Sequence, residues 1–341
     1  MPKTIIRALQ GEAVWPPPMW LMRQAGRHLP EYRATRAQAG DFISLCTTPA
    51  LAAEVTLQPV RRYGVDAAIL FSDILMLPWA LGHGLEFREG EGPVLPRLET
   101  RADLDRLDPR RVVGAIEPIL ETVRLTRAGL DGGATLIGFA GSPFTVACYM
   151  VEGSGSKDFA RVRGMAHGEP ELFDALIGLL ADSTVEYLSA QADAGAEALM
   201  LFDSWAGVLS PLLFARHVIA PTRRIVAALR ARHPGVPIIG FPRLAGVLIG
   251  RYAAETGVNA VAVDTGADLA LAASLVPDGV ATQGNLDPLA LVAGGEALRR
   301  EAGAVLAAAR GRPHVFNLGH GVEKQTPPEH VAELVRMVRA A

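Results

Sequence analysis

Cysteine is nearly absent: Cys46 and Cys148 are the only two in 341 residues. They form no paired motif, and their spacing supports neither a disulfide framework nor a zinc site. A reducing compartment is the simpler assumption, and a cytoplasmic location is expected. No apolar run reaches membrane-spanning length without a charge, Gly or Pro. The stretch from Met1 to Gln10 carries Lys3 and Arg7 but no apolar core, so no secretory signal is visible. A large charge excess is missing too. The chain has 33 Lys and Arg against 36 Asp and Glu, a formal net charge of −3. That balance argues against a general nucleic-acid binder. No membrane or nucleic-acid partner is expected, and an anionic ligand would have to be met by local positive charge.

What is present is apolar. Hydrophobic residues make up 50% of the chain, enough for one large core without disulfides. No low-complexity linker divides it, so residues 1–341 read as a single domain. Arg far outnumbers Lys, and Ala is abundant. A single Arg is therefore weak support for function, since most charged side chains are solvated.

Short apolar runs alternate with longer helical patterns. The runs are Pro18–Met22, Ala67–Phe71, Thr135–Phe139, Ala198–Phe202, Pro237–Phe241, Ala260–Val263, Val280–Thr282 and His314–Asn317. Most read as fully buried strands bounded by Gly or Pro; the first and the seventh carry the weakest pattern. Helix starts are marked by Thr48-Pro49 before Ala50–Tyr63, by Ser210-Pro211 before a helix running towards His233, and by Asp287-Pro288. Thr326-Pro327-Pro328-Glu329 fits a capping box before the last helix. Gly195, Gly235 and Gly311 stand where helices should stop. The Gly- and Pro-rich stretch Leu81–Leu98 reads as an excursion after the second strand, with a hairpin as its form. Alternating βα units imply a parallel sheet. About eight strands favour an α/β fold of the (β/α)8 TIM-barrel type, with a cleft at the carboxyl ends of the strands.

The residues just beyond each run are then the informative ones: Arg23 and Arg27, Ser72-Asp73, Gly141-Ser142, Asp203-Ser204, Pro242-Arg243, Asp264, Asn285, Asn317 and His320. Polar turns alone account for Asp203, Asp264 and Asn285. Three longer motifs say more. In Pro18–Tyr32, Arg23 and Arg27 lie four residues apart, which on a helical turn would share a face. Two guanidinium forks at one mouth suit carboxylates, although spacing alone favours a plain surface pair. In Gly138–Ser156, Tyr149 is expected near the start of a helix, where its phenol could reach a ligand or pack in the core. Gly155-Ser156-Lys157 lacks the spacing of a phosphate loop. In Asn317–Gly321, His320 sits between two glycines with room for a ligand. No second His or Cys stands at metal-ligand spacing, so no metal site is proposed.

Together these motifs resemble the uroporphyrinogen decarboxylase family. Trp20–Tyr32 looks like the family's first signature and Gly138–Ser156 like its second. Phe71-Ser72-Asp73, Phe202–Gly207, Gln283–Pro288 and Phe316–Gly321 look like family segments in the right order. The resemblance spans nearly the whole chain. It implies a carboxy-lyase that removes the four acetate carboxylates of uroporphyrinogen III as carbon dioxide, giving coproporphyrinogen III in haem biosynthesis. It implies no cofactor, because the pyrrole ring can act as its own electron sink once protonated at a ring carbon, and it implies a homodimer. Asp73 would accept hydrogen bonds from the pyrrole N–H groups and stabilise positive charge on the ring. Arg23 and Arg27 would pair with acetate or propionate groups. Gln24, Ala25 and Gly26 would line the cleft, and Tyr149, Ser204 and His320 would contact the substrate. The proton donor is not assigned.

Two positions depart from the family pattern. His28 stands where the family usually has another aromatic. Phe241-Pro242-Arg243 stands where many members read Phe-Thr-Lys, so Arg243 is left outside the assigned site. The nearest rival is a cobalamin- or thiol-linked methyltransferase of the same superfamily. Such enzymes hold zinc with a His-x-Cys pair, which this chain lacks. A non-catalytic tetrapyrrole carrier is the other, and the presence of Asp73 argues against it.

Overall fold

Continuous runs of buried apolar residues build the centre of the molecule. The computed structural model describes residues 2–88 and 92–341. Its strands, in chain order, are β1 (Ala67–Ile69), β2 (Glu86–Arg88), β3 (Gly92–Val94), β4 (Thr135–Gly141), β5 (Ala198–Asp203), β6 (Ile238–Pro242), β7 (Ala260–Ala262), β8 (Ala281–Leu286) and β9 (His314–Leu318). Seven of them form one parallel sheet in the order β1-β4-β5-β6-β7-β8-β9. Every residue of those seven is buried, as a parallel sheet covered on both faces requires. Helices follow the strands, among them Pro143–Glu152 after β4 and Pro170–Ala194 before β5. This is an α/β fold with a curled sheet, and seven of the expected apolar runs supply its strands.

The eighth run, Pro18–Met22, is not a regular strand, yet it occupies a strand's place. Phe316 N–H donates to Pro18 O at 2.8 Å, and Asp66 N–H donates to Met19 O at 2.8 Å. The segment thus lies between β9 and the start of β1. It makes only an isolated parallel bridge, Met19 with Phe316. Two causes are visible. Pro16, Pro17 and Pro18 have no N–H to give a ladder, and Met19 N–H donates to the Asp66 carboxylate at 2.7 Å, not to backbone. β8 runs longer than its apolar pattern, because Gln283, Gly284 and Asn285 are strand residues despite their polarity. The expected hairpin exists as β2 paired antiparallel with β3; its tip lies outside the described residues.

Several end signals need correction. Thr48 occupies the N-cap of Pro49–Tyr63, but its side chain makes no capping bond. The last helix, Pro328–Arg339, has Pro327 at its N-cap, so no capping box forms. Thr326 is instead buried, with its hydroxyl unpartnered. The helix towards His233 is broken into Pro211–Phe214, a π-helical turn at Ala215–Ile219, and Ala220–Arg232. Ser210 and Asp287 do cap, accepting from Leu213 N–H and Leu289 N–H.

Candidate active site

At the carboxyl end of the sheet the first motif forms tight turns, not a helix. Arg23 itself adopts the left-handed region, at φ 60, which a non-glycine residue holds only when its surroundings fix it. The fixing groups are identifiable. Gln24 is buried; its Oε1 accepts from Leu21 N–H at 3.0 Å and its Nε2 donates to Ala67 O in β1 at 2.9 Å. Asn317 Oδ1 accepts from Met22 N–H at 2.9 Å. Val322 N–H donates to Met22 O at 2.8 Å. The Gln24 side chain is therefore committed to the scaffold, and only its backbone is left to face a ligand. Ala25 and Gly26 are half-buried on the same loop, and Arg23 and Arg27 are exposed.

The glycines around His320 have separate jobs. A methyl group at Gly319 would lie 2.6 Å from the Cα of Thr265, and one at Gly321 would lie 2.7 Å from the Cγ of Arg23. The first clash is with backbone and the second with a side chain that would have to shift, so one glycine lets β9 pass the β7 loop and the other lets Arg23 cross over the β9 loop. His320 between them is held neutral. Burial lowers its pKa to about 4, helped by the nearby charges of Arg23 and Arg243.

Asp73 follows β1 and is half-buried. Its Oδ1 accepts from Leu75 N–H at 2.8 Å; Oδ2 has no protein partner among the described residues. Burial raises its pKa, while the Leu75 bond and the Arg23 charge pull it back. The Tyr149 phenol is pushed up, chiefly by burial, and feels both Asp73 and Arg23. Tyr149 lies in the last turn of Pro143–Glu152, not near its start as expected. Its ring faces Trp205 at 6.3 Å, and Phe159 packs on the other part of Trp205 at 4.8 Å. Ser204, at the end of β5, is half-buried beside Trp205. Below them Phe139, Phe202 and Phe241, from β4, β5 and β6, meet edge to face at 5.4 and 6.2 Å.

The Arg23 charge thus reaches Asp73, Tyr149 and His320, and that of Asp73 reaches Tyr149. Arg27 stays at the rim, where its influence falls on Tyr32. Of the turn residues, Asp264 accepts from Leu244 N–H and Gly266 N–H, and Asn285 donates to Asp264 O and Ala267 O. Both are structural. Asp203 is buried; it accepts from the Thr145 hydroxyl at 2.6 Å, and burial pushes its carboxyl up to about 7.

The comparisons with known proteins agree along the full length. The family model described as uroporphyrinogen decarboxylase matches residues 2–341. A uroporphyrinogen decarboxylase from Granulibacter bethesdensis is 64% identical over 342 residues, covering 99% of both chains. One from Gluconacetobacter diazotrophicus is 61% identical, covering 99% of this chain and 98% of that one.

The chain belongs to the uroporphyrinogen decarboxylase family.

Among solved structures, a methyltransferase from Methanosarcina mazei superposes with a TM-score of 0.77 at 19% identity, over 99% of this chain and 98% of its own. That likeness shows a shared fold and nothing about chemistry. Both cysteines, Cys46 and Cys148, are buried, and burial holds their thiols protonated. Among the described residues no three His, Cys, Asp or Glu side chains are grouped to hold a metal, and no helix is long and apolar enough to cross a membrane. The sequence reading did not single out the Phe139, Phe202 and Phe241 layer, and it named Arg243 only to leave it outside the assigned site. The aromatic layer was hidden because a buried strand residue and a ligand-facing one share the same apolar pattern.

Proposed function

We propose that the chain decarboxylates the four acetate arms of uroporphyrinogen III, giving coproporphyrinogen III, in a cleft at the mouth of a closed (β/α)8 barrel formed by the whole chain as one domain. One observation carries the site assignment. A half-buried carboxylate with a free oxygen, Asp73 Oδ2, sits near the Arg23 guanidinium, with Arg27 at the rim, and neither arginine has an anionic partner of its own. Among the described residues, Arg23 and Arg27 make no ion pair, whereas Arg61 and Arg232 pair with Glu54 and Glu186. A polyanion with a ring of N–H donors at its centre is complementary to that arrangement. The arginines take carboxylates at the periphery, and Asp73 takes the pyrrole N–H groups.

The chemistry follows from the charge layout. The ring carbon next to the one bearing the acetate arm gains a proton, and the ring becomes cationic. The electrons of the bond to the carboxylate then flow into the ring and carbon dioxide leaves. The resulting exocyclic methylene takes up a proton, and the ring returns its own. One proton has replaced one carbon dioxide, and no oxidant is involved. Asp73 stabilises the cationic stage because its negative charge is already in place. Burial makes that interaction stronger than it would be in water. His320, neutral at physiological pH, offers one N–H and one lone pair to the substrate. Tyr149 and Ser204 offer hydroxyls, and the phenylalanine layer gives the macrocycle an apolar floor.

The same reading implies a cytoplasmic homodimer. Leu212, Leu244, Val247, Leu271 and Leu289 are exposed by 50 to 78%, and all lie on connections leaving the carboxyl ends of β5 to β8. An apolar rim of this kind suits a second copy facing the mouth. The function is tested by incubating the purified chain with uroporphyrinogen III under anaerobic conditions, and the dimer by its mass in solution.

A further inference from the structure

Arg243 follows β6, on the far side of the mouth from the turn that carries Arg23. Its backbone is held on three sides. Its N–H donates to Asp203 O at 3.1 Å, its carbonyl accepts from Gly207 N–H at 3.1 Å, and the next N–H, of Leu244, donates to Asp264 Oδ2 at 2.8 Å. Leu244 is held at φ 61, so the chain leaves Arg243 by a route that a leucine seldom takes. This much fixation gives the guanidinium a defined origin.

The side chain is half-buried and makes no ion pair or hydrogen bond among the described residues. Neither aspartate bonded to this stretch of backbone pairs with the guanidinium: Asp264 has both carboxylate oxygens on backbone N–H groups, and Asp203 accepts from the Thr145 hydroxyl through Oδ1 while its Oδ2 is buried without a partner. Arg243 and Arg23 nevertheless both act on the His320 imidazole. Two unpaired guanidinium groups from opposite sectors therefore converge on one neutral ring. Holding like charges close and partly out of water is unfavourable unless an anion joins them.

We infer that Arg243 binds a carboxylate of the substrate and, with Arg23, forms one anion pocket around His320. This rests on the decarboxylase reading and extends its site by a specificity-determining residue. The pocket anchors one arm of the macrocycle, and that anchoring sets which way the ring lies over Asp73.

The test compares Arg243→Met and Arg243→Lys with the wild-type chain, using uroporphyrinogen III and checking each variant's fold by thermal melting. Arg243→Met should raise KM by about 10-fold or more, the value of one charge-assisted contact, with kcat little changed. Arg243→Lys should recover part of that loss. A second readout needs no turnover: removing the Arg243 charge should raise the pKa of His320, followed by NMR in the free protein. Unchanged KM in Arg243→Met, with wild type active, overturns the inference and leaves the function standing. An unchanged His320 titration overturns it equally. An inactive wild type overturns the functional reading first.

Discussion

The side chain of Arg23 lies across Gly321, so near that a methyl group on that glycine would stand 2.7 Å from the arginine's Cγ. The two residues are far apart in sequence and meet because the first motif is bonded to β9 through Met22 and Asn317. Gly321→Ala should therefore displace Arg23 without removing any charge. Because a flexible side chain can yield, thermal stability should change little, while KM for uroporphyrinogen III rises by roughly 10-fold through the misplaced guanidinium. An unchanged KM would show that the position of Arg23 does not matter.

Asp73→Asn tests the charge at the centre of the site. The amide keeps the shape and can still accept from Leu75 N–H, but it cannot stabilise a cationic ring. Turnover should fall by on the order of 10²–10³-fold, as when a preorganised electrostatic group is removed, with substrate affinity much less affected. Near-normal kcat would sink the role given to Asp73.

Arg27→Ala removes a rim charge whose guanidinium bonds nothing among the described residues; there, Arg27 only accepts a bond from Arg33 at its backbone carbonyl. The fold should be untouched. Affinity for the substrate should drop by roughly 10-fold, and more at low salt than at high salt. Binding that is unaffected at either ionic strength would refute the pairing.

Stability should depend on pH in a particular direction. His28, His217, His314 and His320 are each lowered from 6.5 to about 4, with burial as the largest cause. Such a base binds its proton more weakly folded than unfolded. Its contribution is full above pH 6.5 and is lost as pH falls through about 4. Asp203 has the opposite sign. Its folded value of about 7 exceeds the ordinary 3.8, so its contribution is full below 3.8 and lost as pH rises through about 7. Four imidazoles outweigh one carboxyl. The melting temperature should fall on acidification from pH 6.5 to 4, and Asp203→Asn should steepen that fall by on the order of a few kcal/mol in stability. Parallel curves for the two proteins would contradict the assignment.

Strand positions were legible because a sheet buried on both faces writes unbroken apolar runs, as in Thr135–Phe139 and Ala198–Phe202. The pattern failed where other forces act. Gln283 and Asn285 look like loop residues, yet they are strand residues that bond the Trp20 indole and the β7 loop carbonyls. Thr326 carries a capping signature, but the prolines after it move the helix start to Pro328. In the site, the motif residues Arg23, Asp73, Tyr149 and His320 do converge. Gln24 was expected to line the cleft through backbone and side chain, but its side chain instead bonds the loop to β1. Its type suits either job, and only the neighbouring Ala67 carbonyl decides. Arg243 was set aside because Phe241-Pro242-Arg243 departs from the Phe-Thr-Lys of many family members, keeping the charge but not the geometry. Its meaning comes from what surrounds it: a carboxylate, Asp264, already occupied by backbone N–H groups, and a histidine shared with Arg23.

The most direct measurement is the product distribution after the purified chain meets uroporphyrinogen III anaerobically, with nothing else added, resolved by carboxylate number. Successive seven-, six-, five- and four-carboxylate porphyrinogens are the expected result. Unchanged substrate from protein shown to be folded would contradict the decarboxylase reading, and with it the roles given to Asp73 and to the arginines around it.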